Sequence, residues 1–270
     1  MNAKNDPSKC VILVPYMNRI EHDTDAALRI LESRGYEVWR TPGYSAIDQA
    51  RNRMAYDALY RRGFDEIMWV DADVEFDPDD FEKLRSHNLP VCAAAYPFKG
   101  YPRFTIETFN EEPLVFGSGG SLVKVKSAAT GFLLIRKPVF EAVRKMFRLP
   151  LCNTSFDNPM IPFFHPQMFY ENREWFYLGE DFSFCRMAAK AGFDIWLDTT
   201  VRLKHIGQYA YQWEDVVRPA QPDRLTGVFY DPQATVQGGT GDAMRGASSI
   251  LSSQAPRAMR IASSGHPVTS

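Results

Sequence analysis

The chain has 270 residues and a formal net charge of −2, which gives no general electrostatic reason to expect a nucleic-acid or anionic-membrane partner. With 45% hydrophobic and 13% aromatic residues, it is long enough to bury the core of one α/β domain. No apolar run approaches the roughly 20 residues of a membrane span. Since Met1 to Lys9 also lacks the apolar region of a signal peptide, we expect a cytoplasmic protein.

Apolar runs and helical spacings alternate along the first part of the chain. The apolar run from Lys9 to Tyr16 is typical of a central strand that is buried on both faces. A helix is predicted from Asp23 to Ser33, a short strand from Tyr36 to Arg40, and a helix capped by Ser45 that ends at Gly63. A buried strand follows from Ile67 to Val70. This β-α-β-α-β order predicts a parallel sheet with right-handed crossovers.

The second part of the chain is less regular. Asp77 and Pro78 predict a helix start. The further strands are expected at Leu89–Tyr96, Thr130–Arg136, Phe193–Leu197 and Val201–Gly207, and the further helices after Lys137 and from Gly179 to Gly192. The core face of the last helix is assigned to Phe182, Cys185, Ala188 and Ala189. Between these elements, Pro150–Tyr177 shows no period and is interpreted as a long aromatic loop, which is more often functional than not.

Three segments are expected. Residues 1–8 form an N-terminal extension, and residues 9–236 form the α/β domain. Residues 237–270 are rich in Gly, Ser, Ala, Thr and Arg and have few large apolar side chains. Such a composition cannot offset the conformational entropy lost on ordering the chain, so this segment is predicted to be a mostly disordered tail.

Two acids directly follow the third strand. Asp71 and Asp73 would point to the same side of an extended chain, because side chains alternate with period two. The carboxyl ends of the strands are where open α/β sheets place their ligands. Two converging carboxylates favour a cation, and hard oxygen ligands suit Mg²⁺ or Mn²⁺. An Asp-rich turn after a strand would show the same pattern without a metal.

Four motifs occur in a fixed order between Cys10 and Tyr211: Asp-x-Asp, Gly-Phe-Leu-Leu-Ile, Gly-Glu-Asp-Phe-Ser-Phe-Cys and Leu-Lys-His-Ile-Gly. Together they resemble the GT-A glycosyltransferases, similar to glycosyltransferase family 2 and its relatives. The resemblance implies a GT-A fold with a Rossmann-like, mostly parallel central sheet flanked by helices. It also implies a UDP- or GDP-sugar donor and a Mn²⁺ or Mg²⁺ cofactor. The Gln-x-x-Arg-Trp motif is lacking, so processive polysaccharide synthesis is not expected.

The resemblance assigns roles to individual positions. The implied donor-binding residues are Pro15, Tyr16, Asp48, Arg51, Asp71, Ala72, Asp73, Gly131 and Phe132. The implied metal ligands are Asp71, Asp73 and His205, and imidazole ligation favours Mn²⁺ somewhat over Mg²⁺. The implied catalytic residues are Asp181, as the general base of an inverting enzyme, and Glu180.

Structural explanations exist for several of these residues. Arg51 could pair with Asp48 or Asp57 on a helix surface, and the acids at 180 and 181 could simply stabilise a helix N-terminus. The aromatic side chains of Trp175, Phe176 and Tyr177 could pack in the core or form a platform that stacks on sugars.

Two other functions are considered. A sugar nucleotidyltransferase would show a Gly-x-Gly-x-Arg loop where this chain has Val14–Arg19. A catalytically inactive GT-A-like binding module would have lost part of the metal or base set, which is present here. The acceptor stays open between a glycan, a lipid, a protein and a modified nucleic acid.

Overall fold

The computed structural model describes residues 6–43, 46–109, 113–171, 173–207, 209–216 and 228–229. Its α-helices are α1 (His22–Ser33), α2 (Ile47–Tyr56), α3 (Pro78–Ser86), α4 (Lys137–Phe147) and α5 (Glu180–Lys190), and a π-helical segment, Asp57–Arg61, continues α2. Its strands are β1 (Cys10–Tyr16), β2 (Glu37–Pro42), β3 (Glu66–Val70), β4 (Val74–Glu75), β5 (Val91–Ala93), β6 (Ile106–Glu107), β7 (Leu114–Val115), β8 (Leu122–Val125), β9 (Ser127–Ala128), β10 (Phe132–Arg136), β11 (Gln167–Glu171), β12 (Glu174–Leu178), β13 (Ile195–Asp198), β14 (Lys204–Ile206), β15 (Ala210–Tyr211) and β16 (Val228–Phe229). The predicted Ser45 cap and the predicted tail lie outside the described residues. Within these ranges, no helix has both the length and the apolar character needed to cross a membrane.

The central sheet has the strand order β2-β1-β3-β10-β5-β13-β8. Strand β1 is parallel to both β2 and β3, and β13 is parallel to β5. Strands β10 and β8 run antiparallel to their neighbours. The expected mixed α/β architecture with a mostly parallel central sheet is therefore confirmed.

The central strands are buried on both faces. In β3, Ile67 and Trp69 belong to one hydrophobic cluster, whereas Met68 and Val70 belong to the other, and none of the four is exposed. Because successive side chains of a strand point to opposite faces, a strand covered by helices on both sides is apolar at every position. This is why the strands before the candidate site are continuous apolar runs.

An ion-paired cluster closes the end of the sheet opposite to Asp71. Glu66, at the start of β3, accepts a hydrogen bond from Arg85 at 2.8 Å and lies 3.1 Å from Arg136. Arg85 also donates to the Tyr36 hydroxyl at 2.8 Å. All these groups have polar partners, so the buried charges are compensated and the strands are held in register far from the cleft.

Several predicted boundaries are wrong. Strand β2 continues to Pro42, which is tolerated because β2 is the edge strand of the sheet and Pro there need not donate to a neighbour. Strand β5 ends at Ala93, since the chain leaves the sheet before Tyr96. In α5, Ala189 is exposed, and the core face instead includes Phe184.

The long aromatic segment is also more regular than predicted. Pro150–Tyr177 contains most of the hairpin formed by β11 and β12, which pair antiparallel with Phe169 opposite Phe176. Trp175 and Tyr177 are exposed, so core packing is wrong for these two side chains.

Candidate functional site

A cleft of about 720 Å³ opens where β1 and β3 end. The predicted site residues that line it are Pro15, Tyr16, Arg51, Asp71, Ala72, Asp73, Glu180 and Asp181. The cleft is also lined by four polar residues that were not predicted from the sequence: Asn18, Arg19, Glu21 and Thr130. Asn18 and Arg19 follow a predicted buried strand directly, and this position could have indicated that they lie at the cleft.

The paired acids lie on a turn rather than on an extended segment. The N–H of Val74 donates to the carbonyl of Asp71 at 3.2 Å. The N–H of Asp71 donates to the Gly131 carbonyl at 3.0 Å, and the Ile206 N–H donates to the Asp73 carbonyl at 2.7 Å. The period-two argument for these acids was therefore wrong. Backbone hydrogen bonds from neighbouring segments hold the turn at the edge of the cleft.

Arg51 is a buried cation behind this turn. Its side chain is 3% exposed, its Nη2 donates to Asp71 Oδ1 at 2.7 Å, and its Nε lies 3.5 Å from Glu180 Oε1. The guanidinium lies over the Trp69 ring, 5.2 Å from its centroid. Pairing with Asp48 or Asp57 on a helix surface is therefore wrong. The Nε and Nη1 atoms are buried and hydrogen-bond to none of the described residues.

Asp73 has two cationic or polar partners. Lys99 Nζ lies 2.5 Å from its Oδ2, and His205 Nε2 lies 3.5 Å from its Oδ1. Burial raises the pKa of Asp73, but the contacts with His205 and Lys99 outweigh it and the pKa is lowered. A Cβ at Gly207 would lie 3.4 Å from Lys99 Cδ. The role of Lys99 could not be predicted from the sequence, because its partner lies 26 residues away along the chain.

The tautomer of His205 follows from its backbone contact. Its Nδ1 lies 2.9 Å from the carbonyl oxygen of Pro97, to which only a protonated nitrogen can donate. The Nε2 faces Asp73 Oδ1 across 3.5 Å, and in the tautomer that is protonated only at Nδ1 it has a lone pair that could bind a cation. Histidines that bind metals are commonly oriented in this way by a carbonyl.

The described residues supply only some of the ligands that a divalent cation needs. In the described ranges, no three His, Cys, Asp or Glu side chains form a group that could hold a metal, and Asp71 faces Arg51 instead. Asp73 and His205 form a suitable pair, since protein Mg²⁺ sites often use one or two carboxylates and take their remaining ligands from phosphate and water. The residues present fit a cation that a phosphate-bearing substrate would help to bind.

Asp181 and Glu180 form the first turn of α5, on another wall of the cleft. Burial, together with the adjacent charge of Glu180, raises the pKa of Asp181 to about 6, against the lowering effects of the Phe182 N–H and Arg51. Desolvation and like charge are therefore the larger effects on this carboxyl. A carboxyl with this pKa is suited to accept a proton near neutral pH.

Gly131 is required by close packing beneath the turn. Its N–H donates to the Tyr96 hydroxyl at 3.1 Å, and a Cβ at this position would overlap that hydroxyl and lie 2.8 Å from Asp71 Oδ2. Burial raises the pKa of Tyr96 well above its usual value, with the charges of Asp71 and Asp181 adding to the effect. Tyr96 was not singled out from the sequence, where it is one aromatic at the end of a predicted strand.

The remaining predicted residues lie away from the cleft surface. Phe132 is fully buried, with its ring centroid 5.0 Å from that of Phe76. Asp48 lies on the first turn of α2 and is not among the residues that line the cleft. His205 contacts Asp73 without itself lining the cleft.

Comparisons with known proteins give distant similarities in structure. No protein-family model matches the sequence, and no curated protein matches it. The chain is similar to A197 from STIV, with 14% identity, a TM-score of 0.49 and coverage of 77% of this chain and 91% of that one. It is also similar to GalNAc-T7, solved with UDP, GalNAc and Mn²⁺, with 12% identity, a TM-score of 0.41 and coverage of 77% and 45%. The inositol-1-phosphate CTP transferase from T. maritima gives 13% identity, a TM-score of 0.34 and coverage of 73% and 70%. With TM-scores below 0.5, these similarities assign neither a family nor an activity to this chain.

Proposed function

We propose that this chain is a metal-dependent glycosyltransferase of the GT-A type, which moves a sugar from a UDP- or GDP-sugar to an acceptor hydroxyl. The observation that carries the proposal is the convergence of four groups on one cleft. These are the acids Asp71 and Asp73, the buried cation Arg51, and Asp181 with a pKa of about 6. Sugar transfer requires both positive charge for a diphosphate and a base for a hydroxyl, and the cleft contains groups of both kinds.

The leaving-group side of the reaction involves Arg51, Asp73 and His205. Breaking the sugar–phosphate bond develops negative charge on the diphosphate, and a divalent cation, when bound, stabilises that charge. Asp73 and His205 would hold the cation. Arg51 lines the cleft, and its planar guanidinium would attract the phosphate oxygens of the donor.

The acceptor side involves Asp181. Its Oδ1 accepts the Phe182 N–H at 2.7 Å, which leaves Oδ2 to accept the proton of the attacking hydroxyl. The neighbouring charge of Glu180 raises the basicity of this carboxylate. In an inverting enzyme, this proton transfer would accompany attack on the anomeric carbon from the face opposite to the diphosphate.

A nucleoside diphosphate is expected to stabilise the protein only when Mn²⁺ or Mg²⁺ is present, because the cation would join the diphosphate to Asp73 and His205. At a concentration 100 times the Kd, the stabilisation should be about 2.7 kcal/mol, which corresponds to a rise in melting temperature of about 5–10 °C for a domain of this size. Thermal unfolding with UDP or GDP, in Mn²⁺ and in EDTA, measures this effect.

Asp73→Asn is the matched variant for this experiment, since it removes the carboxylate charge and keeps the shape. It should abolish the Mn²⁺-dependent part of the shift. Equal shifts in Mn²⁺ and EDTA would contradict metal-dependent donor binding. A panel of nucleotide-sugars, assayed for Mn²⁺-dependent hydrolysis, then identifies the donor.

Replacing Lys99 by methionine is expected to increase Mn²⁺ affinity by about 1.4–5-fold, because the ammonium competes with the cation for Asp73. The size follows from the 0.2–1 kcal/mol typical of exposed ion pairs, since the two side chains are 36% and 35% exposed. Calorimetric titration of Mn²⁺ into the full chain without nucleotide measures it.

Lys124→Met is the control for this variant, because Lys124, on strand β8, makes a similar ion pair with Asp194 at 2.6 Å. It should leave Mn²⁺ affinity unchanged. If Lys99→Met binds Mn²⁺ no more tightly than the wild type, the ammonium and the metal do not share Asp73.

A further inference from the structure

One face of the β11–β12 hairpin exposes large side chains. Met168, Tyr170, Trp175 and Tyr177 are 71%, 59%, 69% and 71% exposed, and we call these four residues the aromatic face. Met168 pairs with Tyr177 and Tyr170 with Trp175 across the two strands. Since cross-strand partners point to the same side of the sheet, the four side chains form one continuous surface.

The opposite face of the hairpin is anchored to the protein. The rings of Phe169 and Phe176 stack there with centroids 5.1 Å apart, and the guanidinium of Arg186, on α5, lies 3.6 Å from the centroid of Phe169. Arg186 also pairs with Glu171 at 3.1 Å. The inner face of the hairpin therefore packs against α5. The aromatic face is the exposed side of a hairpin that is held in place by tertiary contacts.

The aromatic face has the chemistry of a binding surface. Single exposed apolar residues are ordinary, whereas a contiguous group of large ones marks a site of interaction. The centroids of Tyr170 and Trp175 are 5.4 Å apart, so the rings form a broad surface. Tyr and Trp rings combine an apolar body with a polar edge that can hydrogen-bond, which suits a ligand with both C–H and O–H groups.

The aromatic face leads directly to the candidate base. Strand β12 ends at Leu178, and after Gly179 the chain enters α5 at Glu180 and Asp181. Trp175 and Asp181 are six positions apart, so their Cα atoms are at most about 22 Å apart. A ligand longer than a single sugar could lie on the aromatic face and extend toward the cleft.

Charge favours a neutral ligand. The described tip of the hairpin carries Glu171, Arg173 and Glu174, and Glu171 is paired with Arg186. Nucleic acid and anionic membranes are bound by surfaces with an excess of Lys and Arg, which this tip does not have. Carbohydrate rings present C–H groups that pack on aromatic faces, and hydroxyls that hydrogen-bond at their edges.

We propose that the aromatic face is a carbohydrate-binding subsite that holds an acceptor glycan and directs its terminal hydroxyl toward Asp181. This inference rests on the proposed function and names the acceptor class within it.

The test is retention of the full chain on a glycan array, followed by titration with the most strongly retained glycan. Trp175→Ala and Tyr177→Ala should each lower the affinity for that glycan by about tenfold, which corresponds to a loss of roughly 1.4 kcal/mol of ring contact. Phe156→Ala is the control, since Phe156 is 78% exposed and lies outside the hairpin. It should bind the glycan as the wild type does.

Thermal shifts with UDP or GDP and Mn²⁺ separate this inference from the proposed function. All three variants should keep the nucleotide shift of the wild type, because none alters the cleft. Loss of glycan retention in the variants would support the subsite even if no nucleotide bound to any of the proteins. Absence of glycan retention by the wild type, or equal retention by Trp175→Ala, would overturn the subsite. So would retention on phosphatidylglycerol vesicles or single-stranded oligonucleotides instead of glycans.

Discussion

Asp181→Asn is expected to lower the rate of sugar transfer by about 100-fold or more, the usual scale for removing a general base. The amide has the shape of the carboxyl but cannot accept the proton of the acceptor hydroxyl. Donor and metal binding should be retained, because they are assigned to Arg51, Asp73 and His205. Steady-state transfer to an acceptor, together with the nucleotide thermal shift, measures both properties in one variant.

The pH dependence gives a second readout of Asp181. Since its pKa is raised to about 6, the base is protonated below pH 6, and the wild-type rate should rise about tenfold per pH unit there and level off above it. The Asp181→Asn variant should lack this limb.

As pH rises, the free energy of unfolding should fall while the rate of transfer rises. Between about pH 4 and 6, the folded protein holds a proton that the unfolded chain, with an ordinary pKa of 3.8, has lost. The contribution of Asp181 to the free energy of unfolding therefore falls as pH rises through this window. Asp181→Asn should remove that fall and be at least as stable as the wild type at pH 7.5.

Two outcomes would reject the assignment of Asp181 as the general base. Near-normal transfer by Asp181→Asn would show that another group takes the proton. A product that retains the donor's anomeric configuration would indicate a retaining enzyme, in which this acid only orients the acceptor. Asp73→Asn provides the contrast, because it should weaken metal-dependent donor binding as well as the rate.

Arg51→Met is expected to lower the free energy of unfolding by about 3 kcal/mol and to abolish nucleoside diphosphate binding. The value is the lower end of the range for breaking a buried ion pair, because Asp71 and Glu180 remain 27% and 18% exposed and water can reach them. Methionine keeps much of the side-chain volume over Trp69, so the loss reports mainly the charge. Chemical denaturation and nucleotide titration measure the two effects.

Arg53→Met is the control on the same helix, since the Arg53 side chain is 43% exposed and lies 3.9 Å from Asp57. Its effect on stability should stay within about 0.5 kcal/mol, with unchanged nucleotide binding. Arg51→Lys keeps the charge but not the planar fork, so it should fold better than Arg51→Met and still bind nucleotide weakly. A loss below 1 kcal/mol in Arg51→Met would mean that the guanidinium does not hold the carboxylates together.

The sequence predicted the framework of this protein because its central strands are covered on both faces. A strand in that position is a continuous apolar run between its ends, as in β1, β3 and β10, and such runs are recognised without knowledge of their neighbours. The start of helix α3 was also predictable from local sequence, since Asp77 caps it by accepting the Asp79 N–H at 2.9 Å. Predictions failed where packing decided the outcome, as for Ala189 on α5.

The candidate site depended on the sequence for its residue types and on the tertiary structure for their partners. Asp71 and Asp73 were recognised from their place after a strand. Their actual contacts, to Arg51 and to Lys99 and His205, join residues 20, 26 and 132 positions apart. Local periodicity reports only which side of its own element a residue occupies. Which charges meet, and therefore how the pKa of a carboxyl shifts, is decided by the separate helices, strands and loops that the fold brings together at the carboxyl edge of the sheet.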